Sequence, residues 1–406
     1  MPFLTVDPLE PPPPARPPAV VAQHISGTGL STFGEVTATC YDTSGTRMAT
    51  CTSHGAIHVF DRVDAADGAP GTWKQSAGWS GNDARCPASA IAFASAEFGQ
   101  CLASSFADGT IRVWREGLRA PGPAAAAAAL AAHEDGTYPW EPCAVLRDAA
   151  ARVGHLSFAP PDFGLQLAAA GDDGVVRFYS PADALALAGW ELCNEAEALK
   201  PGAACTALAW CPPTGVAVGG HEADGPPAPP MIAVGLTWPG TAGGESDARV
   251  LAYDEAGMRW RVVATLYRGA VAATALAWAP NTHVAGGASV ETIAAAVGTE
   301  AVVFRMESHR GGGGGEGAGR GGRELGGFGG TIDGTAPGGA MDGGLARGEL
   351  RTRRAATLSH PAEVHGVDWN MVGNTLATSA GDGVIRVWAA NMQSGVWEQR
   401  AQLVGE

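Results

Sequence analysis

Residue types that can do chemistry are present in this chain, but their spacing withholds it. His54 and His58 bracket a turn glycine and could offer two imidazoles to one metal ion. No third ligand stands nearby, and zinc requires at least three protein donors. The string Gly317-Ala318-Gly319-Arg320-Gly321-Gly322 matches the phosphate-cradling G-x-G-x-x-G. That motif works only between a strand and a helix, and here glycine-dominated low complexity lies on both sides. Arg310, Arg320 and Arg323 in the same stretch faintly resemble RNA-binding arginine–glycine segments, but Glu316 and Glu324 are interspersed and a solvated linker is the simpler reading. The eight cysteines, Cys40, Cys51, Cys86, Cys101, Cys143, Cys193, Cys205 and Cys211, include no C-x-x-C pair. Buried thiols acting as small hydrophobes account for them. No G-x-S-x-G, Walker loop or H-E-x-x-H occurs. The expectation is a chain with no catalytic, cofactor or metal site, whose chemistry is binding.

The elements that carry these residues form a repeat. Six times an alternating strand ends in a large aromatic (Tyr41, Phe93, Phe158, Trp210, Trp278, Trp369). A small-residue strand and a tight turn follow, then a strand ending in a second aromatic: Phe60, Trp114, Tyr179, Tyr253, Phe304 and Trp388. The clearest copies read Leu102-Ala103-Ser104-Ser105, Asp108-Gly109, Ile111-Arg112-Val113-Trp114 and Leu376-Ala377-Thr378-Ser379, Asp382-Gly383, Ile385-Arg386-Val387-Trp388. Asp-Gly between such runs signals a hairpin whose two turn residues both take positive φ. Asp108, Gly109, Asp173, Gly174, Asp382 and Gly383 are therefore structural turn residues, with the carboxylates accepting backbone N–H groups. In the first copy His54 replaces the aspartate, which makes that turn less standard. Repeats of this kind predict an all-β chain, a six-bladed WD-repeat β-propeller.

At roughly 45 residues per blade, the 406 residues are absorbed by one ring. Blades are expected near 34–80, 86–148, 151–197, 204–267, 270–360 and 363–404, with flexible loops at 118–138 and 308–351. A proline-rich head covers 1–18. The net charge of −15 argues against direct binding of nucleic acid or an anionic membrane. No transmembrane run, signal peptide or N-x-S/T sequon is present, which predicts a soluble intracellular protein.

Strand counting adds a mechanism. The last blade holds four strands of its own, yet Ala19–Ile25 also reads as a strand and is left over. An unpaired strand is a template for another chain. Val20, Val21, Ala22, Gln23 and His24 are thus expected to bind a partner by β-augmentation, in a blade between the sixth and the first. The other arrangement is a closed ring in which this strand pairs with the last blade.

Glu97-Phe98-Gly99-Gln100-Cys101-Leu102-Ala103-Ser104, Asp162-Phe163-Gly164-Leu165-Gln166-Leu167-Ala168 and Gly174-Val175-Val176-Arg177-Phe178-Tyr179 resemble the Seh branch of the Seh/Sec-thirteen family of WD-repeat proteins. So do Gly45-Thr46-Arg47-Met48-Ala49-Thr50-Cys51 and Pro230-Met231-Ile232-Ala233-Val234-Gly235. The likeness extends over nearly all of Val20–Leu403. It implies an open ring in a scaffold subunit of the Y-shaped outer-ring complex of the nuclear pore, completed by a β-blade from an α-solenoid nucleoporin. It also implies contact with other pore-scaffold or SEA/GATOR subunits, and residence at the nuclear envelope, with the cytoplasm and the lysosome or vacuole surface as further sites. The alternatives are a vesicle-coat subunit resembling the Sec-thirteen protein, and a closed propeller with a peptide-binding or catalytic channel.

Overall fold

The computed structural model describes residues 25–26, 34–64, 71–82, 86–117, 139–197, 202–212, 229–238, 244–280, 290–308, 350–391 and 394–404. These residues form six antiparallel sheets, each a four-stranded meander, with one extra strand on the first. Blade one contains β2 (Val36–Tyr41), β3 (Arg47–Thr52), β4 (Ala56–Val63) and β5 (Thr72–Ser80). Blade two contains β6 (Ala88–Phe93), β7 (Cys101–Phe106), β8 (Ile111–Glu116) and β9 (Trp140–Leu146). Blade three runs from β10 (Val153–Phe158) through β11 (Leu167–Gly171) and β12 (Val175–Asp183) to β13 (Ala188–Glu197). Blade four comprises β14 (Ala204–Trp210), β15 (Met231–Trp238), β16 (Glu245–Asp254) and β17 (Arg259–Gly269). Blade five holds β18 (Ala273–Trp278), β19 (Val290–Val297), β20 (Glu300–Ser308) and β21 (Leu350–Ser359). Blade six holds β22 (Val364–Trp369), β23 (Thr375–Ala380), β24 (Val384–Ala390) and β25 (Trp397–Val404).

The turns differ from the hairpin geometry expected. Only the glycines have positive φ, at +82° for Gly109, +74° for Gly174 and +73° for Gly383, while the aspartates do not. Each glycine N–H closes on the carbonyl three residues back (Phe106, Gly171, Ala380). The connection is therefore a turn followed by one left-handed residue, the longer of the common hairpin loops. The physical reason is the carboxylate. Asp108 Oδ1 accepts Thr110 N–H at 3.0 Å, Asp173 Oδ1 accepts Val175 N–H at 3.1 Å and Asp382 Oδ1 accepts Val384 N–H at 3.1 Å. In blade one Gly55 N–H still donates to Thr52 O, and Thr52 Oγ1 takes the role of the missing carboxylate by accepting Ala56 N–H at 3.1 Å. His54 leaves that turn intact.

Beyond the turns, β21 begins at Leu350, earlier than the apolar pattern suggests, because β20 extends to Ser308 and pairs with it to the end. Arg351, Arg353 and Arg354 conceal that strand by carrying charge where a half-buried strand would alternate. Segments 118–138 and 309–349 lie outside the described residues, as do Met1–His24.

Blades join through their faces. The inner strands pack in the order β2, β6, β10, β14, β18, β22. A buried cluster fills each of the five joints: Ile57 and Val59 meet Leu102 and Trp114, and Ile111 and Val113 meet Leu167 and Tyr179. Further round, Phe178 meets Trp210, Val250 meets Ile293, and Val303 meets Leu376. Aromatics extend these joints outward, as where Trp79 of blade one stacks on Trp140 of blade two at 5.6 Å. The four buried cysteines are among the joint fillers. Burial pushes Cys101 and Cys205 up to about 12, which keeps them neutral thiols at ordinary pH.

Candidate functional site

The sixth joint is different. Among the described residues there is no inner-strand packing between β22 and β2 of the kind that links every other neighbouring pair, and no buried cluster spans blades six and one. The propeller is open there, and the two walls of this seam form the candidate interaction site.

The blade-six wall is a copy of a surface that is covered elsewhere. Cross-strand register places Ala103, Ser105, Ile111, Val113, Ala144 and Leu146 on the face of blade two that meets blade three. The same register places Ala377, Ser379, Ile385, Val387, Ala401 and Leu403 on the seam face of blade six. The residue types are identical position for position; their surroundings are not. Ile111 is 1% exposed and Ile385 is 42% exposed. One charge interrupts the wall: Asp368 stands on β22 where β6, β14 and β18 carry Ala92, Ala209 and Ala277. Displaced water pushes its carboxyl above the usual carboxylate range, and the Trp369 N–H that it accepts offsets part of the shift.

The opposing wall belongs to blade one. Met48, Phe60 and Trp73 form a cluster on the face turned away from blade two, and Tyr41 packs on Trp73 with ring centroids 5.7 Å apart. Tyr41 is 56% exposed and Val36 48%. Behind them lies a polar layer of Thr50, Thr52 and His58, all buried, with Gln75 reaching His58 Nδ1 at 3.2 Å. Burial lowers the His58 pKa, so the ring stays neutral. Thr50 occupies the position of Ser104 and Thr378 in blades two and six. Those hydroxyls accept the indole N–H of Trp114 and Trp388, each at 2.9 Å. Blade one has Phe60 in place of that tryptophan, and Thr50 Oγ1 has no hydrogen-bond partner among the described residues.

Of the residues expected to bind a partner, Val20, Val21, Ala22, Gln23 and His24 lie outside the described residues. The strand that follows them is not without a mate. As β1, Ile25–Ser26 pairs in parallel with Trp73–Lys74 on the outer edge of blade one. Its mate is within the chain because β5 presents the free backbone edge of that blade. The turn residues Asp108, Asp173 and Asp382 hold their own hairpins. Asp173 and Asp382 also pair with Arg177 and Arg386 at 2.8 and 2.6 Å. His54 and His58 do not converge with further ligands; among the described residues no three His, Cys, Asp or Glu side chains are grouped to hold a metal ion. The seam residues Ile385, Ser379, Leu403, Tyr41 and Thr50 escaped the strand count. Their signal was in the sequence all the same, in the near-identity of blades two and six.

Comparison with known proteins bears on the fold and on sequence relationships. The family model "WD domain, G-beta repeat" matches residues 84–115 and 353–389, within the second blade and across the fifth and sixth. Nucleoporin SEH1 of Xenopus tropicalis is 29% identical over 359 residues, covering 86% of this chain and 80% of that protein. Nucleoporin SEH1 of Homo sapiens is 28% identical over 357 residues, with the same coverage of 86% and 80%. Among solved structures, Chaetomium thermophilum Sqt1, bound to the N-terminus of the ribosomal protein L10, superposes with a TM-score of 0.51 at 15% identity, covering 92% of this chain and 75% of that one. At that identity the likeness concerns the fold alone.

Proposed function

We infer that this chain is a structural scaffold subunit of the nuclear pore complex at the nuclear envelope, of the Seh nucleoporin kind, and that its seam receives a β-blade from an α-solenoid nucleoporin of the Y complex. Similarity to proteins named as nucleoporins supports the scaffold role, and the function is binding and geometry rather than catalysis. The blade insertion rests on one observation. The face of blade six is chemically the same as a face that another blade covers within this chain, yet Ile385 on it remains 42% exposed. A further blade is the object that fits both walls, because each of the other joints is filled by one. Val20–His24 belong to the same reading, as a strand that would extend from the rim of blade one toward the incoming chain, and so do contacts with SEA/GATOR subunits. Among the described residues no helix is long and apolar enough to cross a membrane.

The test combines the full-length chain with the solenoid nucleoporin and maps cross-links. The expectation is that they cluster on blades one and six, and that Ile385→Asp abolishes the complex while the free chain stays folded. Deletion of Met1–His24 in the otherwise unchanged chain should weaken the complex. Cross-links confined to the other blades, or an Ile385→Asp variant that binds normally, would remove the seam from the mechanism. A vesicle-coat solenoid captured in preference to the nucleoporin would favour the coat reading.

A further inference from the structure

Hydroxyl groups lock three of the five filled joints onto the same acceptor position but from two donor positions: Ser105 lies on the second strand of its blade, Thr206 and Thr274 near the start of the inner strands of theirs. Ser105 Oγ donates to Val153 O at 2.8 Å, Thr206 Oγ1 to Ala273 O at 2.7 Å and Thr274 Oγ1 to Val364 O at 3.1 Å. In each case the acceptor is the carbonyl of the first residue of the next blade's inner strand: Val153 opens β10, Ala273 opens β18 and Val364 opens β22. The lock reads main chain, not side chain. It fixes how far along its axis the next inner strand sits, because a one-residue slip would move that carbonyl away and turn the strand's other face inward.

Ser379 is the blade-six counterpart of Ser105, opposite Ile385 as Ser105 is opposite Ile111. Its hydroxyl has no partner among the described hydrogen bonds, although a methyl group built on Gly366 would lie 2.7 Å from it, which places the hydroxyl beside the innermost strand. The element that would normally accept from it is the inner strand of a following blade. The corresponding residue of blade one is Val36, which is not packed against β22 and is itself 48% exposed.

We propose that Ser379 is the register-setting residue of the seam, donating its hydroxyl to the first main-chain carbonyl of the inner strand of an inserted blade. This inference rests on the blade-insertion reading and deepens it. The partner must present a β-strand that enters next to β22 in the direction of β2, β6 and β10, with an open carbonyl at its start. It need not present any particular side chain at that point. The partner chemistry selected is therefore a strand terminus with an apolar flank to cover Ile385 and Leu403, a motif that different scaffold proteins could carry.

The experiment compares Ser379→Ala, Ser379→Thr and Ser105→Ala in the full-length chain. Affinity for the Y-complex solenoid nucleoporin is read by calorimetry, and the stability of the free chain by its urea midpoint. Loss of one hydrogen bond corresponds to about threefold to tenfold weaker binding. Ser379→Ala should show that loss with an unchanged midpoint, Ser379→Thr should bind like the original chain, and Ser105→Ala should lower the midpoint. Ser379→Ala binding as tightly as the original chain would overturn the proposal, as would a Ser379→Thr variant no better than Ser379→Ala. A midpoint drop equal to that of Ser105→Ala would also overturn it, by showing that Ser379 bonds Val36 in a closed ring. Ile385→Asp serves as the arm for the seam itself: if it binds normally, the insertion reading fails irrespective of Ser379.

Discussion

Truncating Ile111 and Ile385 to alanine asks the same chemical question of two equivalent positions, and the open ring answers it differently at each. Ile111 is 1% exposed between blades two and three, whereas Ile385 is 42% exposed on the seam. Removing a fully buried aliphatic side chain costs about 2–5 kcal/mol, because the transfer loss is joined by the cavity left behind. At Ile385 no sealed cavity forms. Complete burial of such a side chain is worth about 1.5–3 kcal/mol, so the part already realised in the free chain amounts to about 0.9–1.7 kcal/mol. The remainder, about 0.6–1.3 kcal/mol, becomes available only when a partner covers the face. Ile111→Ala should therefore destabilise the free chain by about 1–3 kcal/mol more than Ile385→Ala. Only Ile385→Ala should weaken solenoid binding directly, by about threefold to tenfold. Urea unfolding of the two variants gives the first quantity and calorimetric titration the second. Equal destabilisation of the free chain by both would refute the reasoning, since it would require the blade-six face to be packed without a partner.

Two threonines at equivalent positions should respond to valine with opposite signs. Thr378→Val orphans Trp388 Nε1 and His360 Nε2, which lie 2.9 and 2.8 Å from its hydroxyl, and should cost about 1–3 kcal/mol in urea unfolding. Thr50→Val removes a buried hydroxyl that has no described partner and should leave stability unchanged or raise it by up to about 1 kcal/mol. Gly109→Ala should be worse than Gly383→Ala: both sit at positive φ, but the added methyl at Gly109 meets Ala151 O at 2.8 Å while that at Gly383 meets nothing. The shared left-handed cost is about 1 kcal/mol, and a thermal-shift comparison should show the larger drop for Gly109→Ala. Acid should weaken the fold before carboxylates titrate. Burial, chiefly, and the nearby Arg152 lower the His155 pKa from 6.5 to about 4. Between those values the unfolded chain binds the extra proton, so stability falls as pH drops from about 7 toward 4, by on the order of 2 kcal/mol. His58 and His360 shift in the same direction. His155→Gln should flatten the slope of unfolding midpoint against pH; an unaltered slope would dismiss this assignment. Asp42, held low by Ser44, Thr46 and Arg47 despite partial burial, adds stability that is lost only at more acid pH.

Much of the molecule was legible in its residues because the repeat is local. Aromatic-ended strands, small-residue strands and Asp-Gly turns each form within a few dozen residues, and their recurrence identifies a six-bladed WD-repeat propeller without reference to coordinates. What local pattern misread was local too. The carboxylates of Asp108, Asp173 and Asp382 cap the N–H beyond each glycine, so they keep negative φ where the dipeptide suggests otherwise. His54 seemed to weaken its turn until Thr52 was found bonded across it. Strand counting pointed to the N-terminal ribbon, but its register partner is a free edge in blade one, and an edge is a property of the finished sheet.

The site belongs to the tertiary structure. Blades two and six carry the same six side chains on the same face, so the sequence determines equally sticky surfaces at both. Which of them stays uncovered depends on how many blades the ring contains and on the angle each adds, quantities summed over the whole chain. Burial of Ile111 and exposure of Ile385 come from that sum, and no neighbouring residue records it.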